Sequence, residues 1–139
     1  MIIWLASYPK SGNTWVRALI AALLYSENGV FDFKLLEHIL QFPDERYFNK
    51  FTQDMGNLNE IKKYWISAQI EINKDQKLRF FKTHHLNCTI GKDHFTDKKN
   101  TLATIYIVRD PRNLVNSISN HFNKSIEEAK DFILTSKII

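Results

Sequence analysis

Lys10, Ser11, Gly12, Asn13 and Thr14 stand between two apolar runs, Ile2-Ile3-Trp4-Leu5-Ala6 before them and Trp15 to Leu24 after them. A short polar connection from a buried strand into a helix is a place where anions bind. The first amides of a helix have no intrahelical acceptor and lie at the positive end of the peptide dipoles, so a phosphate can take them directly. Gly12 permits close backbone approach, Ser11 and Thr14 offer hydroxyl donors, and Lys10 places a mobile ammonium at the mouth. An ordinary capped turn accounts for the position but not for a Pro-Lys-Ser-Gly-x-Thr-Trp string, and the stretch is read as a phosphate loop. Its order differs from the G-x-x-x-x-G-K-[ST] nucleotide loop, because Lys10 precedes Gly12.

Two further groups of residues could do chemistry. His84 and His85 follow Leu78-Arg79-Phe80-Phe81-Lys82-Thr83, and a histidine that titrates near neutrality can take a proton as a general base. Neighbours in an extended chain point to opposite faces, so at most one of the pair belongs to a given site; which of the two is left open. Cys88 and His94 do not complete a zinc spacing, and no metal is expected. Arg109-Asp110-Pro111-Arg112 follows Leu102 to Val108, with Ser117 eight residues after Arg109. Arg109 suits bidentate phosphate binding, and both Arg109 and Arg112 could instead merely pair with Asp110 or surface carboxylates.

These residues must be held by an alternation of strands and helices. Residues 2–6 read as a strand covered on both faces. Residues 14–25 read as a helix, apolar almost all round and therefore expected to be largely buried. From Phe31 to Phe51 the pattern is helical with Phe33, Leu36, Ile39 and Leu40 on one face, until Pro43 breaks it; His38 is expected to be a surface or packed histidine. A helix starting near Asn57 or Asn59 carries Ile61, Tyr64, Trp65, Ala68 and Ile72. Residues 78–83 and 102–108 read as strands and residues 87–101 as a polar connection. Asp110 caps a helix that runs from Pro111 to about Phe122, and Ser125-Ile126-Glu127-Glu128 is a capping box for a last helix with Ala129, Phe132, Ile133 and Ile138 on its apolar face. The alternation argues for an α/β layered fold, a three-layer sandwich around a parallel sheet.

With 139 residues, 44% of them hydrophobic, the chain is expected to form one domain over residues 1–139. A net charge of +4 suits an anionic ligand. No clustered basic helix or aromatic sheet motif points to nucleic acid. The one cysteine, Cys88, excludes an intrachain disulfide and fits a reducing compartment. No apolar stretch reaches the roughly 20 residues of a membrane span, and the N-terminus lacks a signal-peptide pattern, so a soluble cytoplasmic protein is expected, without a membrane partner.

Three segments, in order, resemble the cytosolic-type sulfotransferases that use 3′-phosphoadenosine 5′-phosphosulfate (PAPS). They are Tyr8-Pro9-Lys10-Ser11-Gly12-Asn13-Thr14-Trp15, Lys82-Thr83-His84, and Ile105-Tyr106-Ile107-Val108-Arg109-Asp110-Pro111-Arg112 with Ser117. The resemblance implies a P-loop-like fold and transfer of a sulfuryl group from PAPS to a hydroxyl or amine of a small-molecule or glycan acceptor. It also implies roles. Lys10 would stabilise the departing phosphate, Ser11, Gly12, Asn13 and Thr14 would cradle the 5′-phosphate, and Trp15 would stack on the adenine unless it is plain core. Arg109 and Ser117 would grip the 3′-phosphate, and His84 would be the general base, with His85 in reserve because the usual Leu-Pro after the histidine is replaced by His85-Leu86-Asn87. The resemblance covers the N-terminal part of the usual domain; the later Arg-Lys-Gly and Gly-x-x-Gly-x-x-Lys segment has no match. Two alternatives stay open: a PAPS-binding or bisphosphate-binding domain with little or no catalysis, and a nucleotide kinase.

Overall fold

A computed structural model describes residues 1–135. Its centre is a three-stranded parallel sheet of β1 (Ile2–Ser7), β2 (Arg79–Thr83) and a third long strand, Thr101–Ile107, in the order β2, β1, third strand. Between them in sequence lies a two-stranded antiparallel pair, β3 (Thr89–Ile90) and β4 (Asp93–His94), so the third long strand is β5. The hairpin turns at Gly91, whose φ of 69° explains the glycine; its two-residue strands fall inside the stretch that the sequence presents only as a polar connection.

β1 is the middle strand, and its side chains alternate between two cores. Trp4 and Phe81 lie side by side in register and pack with Phe42, Phe48, Trp65 and Phe95 on one face. Leu5, Phe80 and Ile107 face the other side, against Ala21, Ile20 and Ile39. Helical layers therefore lie on both faces, as the alternation predicts: α1 (Asn13–Tyr25) on the Leu5 face, and on the Trp4 face α2 (Glu45–Phe48), α3 (Leu58–Ile61) and α4 (Trp65–Asn73). Asn57 caps α3 by accepting from the Asn59 amide, and a short 3₁₀ turn, Lys62–Tyr64, joins it to α4.

The segment from Phe31 to Phe51 differs from the expected interrupted helix. It forms a 3₁₀ turn over Phe33–His38 and the four-residue α2, and Leu40 to Phe42 run extended beside β2. The Lys82 amide donates to the Leu40 carbonyl at 2.8 Å and the Phe42 amide donates to the Lys82 carbonyl at 2.9 Å, which makes Gln41 a one-residue extension of the sheet. Pairing the open edge of β2 outweighs a local helical preference that Pro43 already weakens. Arg17 of α1 donates to the carbonyls of Leu36 and Ile39 and so ties this segment to the helix. His38 stacks on Tyr25 with ring centres 4.5 Å apart.

α1 is also not the buried helix its composition suggests. Only Asn13, Ala21 and Ala22 are buried, whereas Trp15 (82% exposed), Leu19 (70%) and Leu23 (74%) form a stripe at four-residue steps. The helix meets the sheet through its small side chains, which allows a close approach and leaves the large ones outward. β5 is likewise open, with Leu102, Ile105 and Tyr106 exposed.

The last two helices are α5 (Pro111–Phe122) and α6 (Ile126–Thr135). Asp110 accepts from the Arg112 amide with Pro111 at the first helical position. Ser125 and Glu128 exchange the two hydrogen bonds of the capping box, at 2.7 and 3.1 Å. Ala129, Phe132 and Ile133 pack on Leu114, Ile118 and Tyr8; Ile138 lies outside the described residues. Among the described residues no helix is long and apolar enough to cross a membrane.

Candidate active site

The chain leaves β1 toward β2 on one side and returns later as β5 on the other. The order reverses at β1, and in open parallel sheets the crevice beyond the strand ends at such a point is where ligands bind. Each chemically suggestive segment of the sequence hangs from one of these three carboxyl ends: the Tyr8–Gly12 loop from β1, His84 from β2, and Arg109 from β5.

They line a single cleft of about 550 Å³, walled by Pro9, Lys10, Gly12, Asn13, Thr14, Trp15, Lys82, His84, Arg109, Ser117, His121 and Phe122. Eight of the nine residues singled out from sequence are in that wall. The ninth, Ser11, is buried behind the loop, its amide donating to the Tyr8 carbonyl at 3.2 Å.

The loop's shape follows from two left-handed residues, Lys10 at φ 66° and Gly12 at φ 103°. A Cβ on Gly12 would meet nothing within 4 Å, so conformation rather than crowding demands the glycine. Alternation of this kind turns successive amides toward one concavity, a shape that receives anions. Trp15 and Val16 are the first amides taken up, both by the Gly12 carbonyl, which leaves those of Gly12, Asn13 and Thr14 ahead of the first helical bond. Asn13 is buried, and its side chain points back into the sheet, donating to the Leu5 carbonyl at 2.8 Å and to Ser7 Oγ at 3.1 Å. Its backbone therefore faces the cleft while its amide group anchors the loop.

Arg109 and Arg112, both of which could have paired with Asp110, part company here. Arg112 grips Asp110 with its Nε and Nη2. Arg109 instead donates from Nη1 to the Lys10 carbonyl at 3.1 Å, which joins the end of β5 to the loop after β1 and leaves its guanidinium at the cleft. Ser117 and His121, four residues apart on α5, both line the cleft, beside Leu114 and Ile118, which pack on α6 and Tyr8. Trp15 is exposed at the rim, which removes the core reading of that residue.

Lys82, His121 and Phe122 also line the cleft but were not singled out from the sequence. Lys82 was legible: it lies at the end of β2, two residues before His84. Ser117 pointed to His121 by helical spacing; Phe122 gave no signal. With Lys10, Lys82 and Arg109 in its wall and, among the described residues, no carboxylate lining it, the cleft is a positively charged enclosure.

The two histidines lie just past the end of β2 and differ in their surroundings, although both line one smaller cavity. His85 is set among aromatic rings, parallel to Phe95 with centres 5.5 Å apart and edge-on to Trp65. His84 lines the charged cleft and also a second cavity of about 270 Å³ with Ala6, Ser7, Tyr8, Leu86 and Tyr106. Its Nδ1 lies 2.8 Å from the Ser7 carbonyl oxygen. A carbonyl only accepts, so Nδ1 carries the proton and Nε2 keeps its lone pair. Burial pushes the His84 pKa below the usual histidine value; the Ser7 carbonyl opposes that shift and the Lys82 ammonium adds to it. The imidazole is consequently neutral at neutral pH, the state a base requires.

Fold and cleft together define an α/β protein of the P-loop-like kind, with a histidine facing Lys10, Lys82 and Arg109 across one cleft. The chain belongs to the sulfotransferase domain family, whose pattern matches residues 2–136. It is 29% identical over 127 residues to luciferin sulfotransferase of Photinus pyralis, an alignment covering 86% of this chain and 32% of that protein. The chain thus spans about a third of that relative's length. No solved structure matches it.

Proposed function

We propose that the cleft binds PAPS and that the chain transfers its sulfuryl group to a hydroxyl or amine of a small-molecule or glycan acceptor, in the cytoplasm. The observation that carries this reading is the convergence of Lys10, Lys82 and Arg109, without a carboxylate, on a wall that also holds His84. The empty space above Gly12 and the free amides of residues 12–14 fit a phosphate, which is the support in this structure for a phosphosulfate donor.

PAPS, when bound, supplies an activated sulfuryl group whose bond to the phosphate oxygen breaks as the acceptor attacks sulfur. His84 Nε2 would take the acceptor's proton, and Lys10 would stabilise the oxygen that gains the electron pair, much as in phosphoryl transfer. Arg109 and Ser117, on the far side of the loop from His84, hold the 3′-phosphate, Arg109 through paired charge-assisted hydrogen bonds. Trp15 offers its exposed ring to the adenine. The cavity beside Tyr8, Leu86 and Tyr106 is suited to the acceptor, because His84 stands in the wall between it and the charged cleft. No metal is assigned a part: a sulfuryl group carries less charge than a phosphoryl group, and the lysines and Arg109 supply the fixed positive charge.

A sulfate-transfer assay over an acceptor panel tests the proposal. Transfer by the native chain is expected to disappear in His84→Ala while nucleotide binding survives; retained turnover would move the base elsewhere. A second reading is nucleotide binding with little or no turnover. That reading gains if the native chain binds the nucleotide and transfers nothing.

A further inference from the structure

The contacts behind His84 form a continuous line into the phosphate loop. Asn13 uses both amide hydrogens, one on the Leu5 carbonyl and one on Ser7 Oγ. Ser7 Oγ lies 3.3 Å from His84 Nδ1, and the Ser7 carbonyl lies 2.8 Å from the same nitrogen. Ser7, Asn13 and the preceding Leu5 are all buried. Turning the Asn13 amide over would set its oxygen against the Leu5 carbonyl, so the donor orientation is fixed even though Asn13 Oδ1 finds no partner.

We propose that Asn13 and Ser7 are positioning residues that hold His84 with its proton on Nδ1 and its lone pair on Nε2, and so couple the geometry of the phosphate loop to the readiness of the base. The inference rests on the reading of His84 as the base but concerns the ring itself. Many catalytic histidines are oriented by a carboxylate, whose charge raises the imidazole pKa. The groups facing His84 here are Lys10, Lys82, Arg109 and His121 around the cleft, and Tyr8, His85 and Tyr106 around the smaller cavity. Among the described residues none is a carboxylate. A neutral carbonyl, hydroxyl and amide orient the ring without adding negative charge, which keeps it unprotonated among cations.

The test is nitrogen-15 NMR of the imidazoles in the full chain, read for tautomer and titration without nucleotide or acceptor. Native His84 is expected to be in the Nδ1–H form. In Ser7→Ala and in Asn13→Ala the ratio of Nδ1–H to Nε2–H should fall by roughly fivefold, the scale of one neutral hydrogen bond. Ser7→Thr, which keeps the hydroxyl, should restore it. Native-like ratios in folded Ser7→Ala, or an Nε2–H ring in the native chain, would overturn the proposal. If Asn13→Ala does not fold, the Ser7→Ala and Ser7→Thr pair decides alone. Because the readout needs no turnover, a relay present in a chain that fails to bind adenosine 3′,5′-bisphosphate would sink the functional reading and leave the relay standing.

Discussion

The two faces of the sheet are both rich in apolar side chains, yet they are finished differently. On the Trp4 face, Phe42, Phe48, Phe81, Phe95 and Trp65 close around a tryptophan that is 2% exposed and whose Nε1 donates to Thr101 Oγ1 at 2.8 Å. On the other face, α1 contributes mainly Ile20, Ala21 and Ala22, and its Leu19 and Leu23 point away. Apolar composition thus says what an element can bury, while the register of strand and helix decides what it does bury. The cleft lies at the strand ends and takes His84 into its wall, whereas His85 stacks on Phe95 and meets His84 only at the smaller cavity.

Substitutions can break this contrast, and the closed face should respond most. Trp4→Ala removes a fully packed indole and its hydrogen bond, and chemical denaturation should show a loss of about 3–5 kcal/mol. A loss below about 1 kcal/mol would mean that the aromatic cluster is not the core. At the cleft, Arg109→Ala removes the arginine assigned to the 3′-phosphate, and calorimetry with adenosine 3′,5′-bisphosphate should show affinity reduced by roughly 10- to 100-fold, as for charged hydrogen bonds. Gly12→Ala forces a side chain into a left-handed conformation and should cost about 1–2 kcal/mol of stability, visible as a lowered denaturation midpoint.

Lys82→Met sharpens the electrostatic side. The ammonium disfavours the imidazolium, so its removal raises the His84 pKa and the acid limb of the transfer profile moves to higher pH. In the native chain that limb should lie below pH 6.5, the ordinary histidine value. The smallest effect is expected on the open face, where Leu23→Gln should change stability by no more than about 0.5 kcal/mol.

The sheet and the site were legible in the sequence to different depths. The strands at residues 2–7, 79–83 and 101–107 and the caps at Asp110 and Ser125 follow from local chemistry: apolar runs, a proline at the first helical position, a serine and a glutamate three apart. The site was visible because its loop, histidine and arginine each follow a strand, and a parallel sheet brings strand ends together. What the sequence left hidden depends on partners distant in the chain. Leu40 to Phe42 become extended only because β2 offers an edge, and Arg109 is tied to the loop by a carbonyl 99 residues away. Asn13 presents itself as one more loop donor, and only the fold shows it reaching behind Ser7 toward His84.

The central claim is that the cleft is built for a nucleotide bearing a 3′-phosphate, and isothermal calorimetry on the native chain with adenosine 3′,5′-bisphosphate and with ATP tests it most directly. The bisphosphate should bind more tightly than ATP, with the preference lost in Arg109→Ala; equal or tighter binding of ATP would contradict the account.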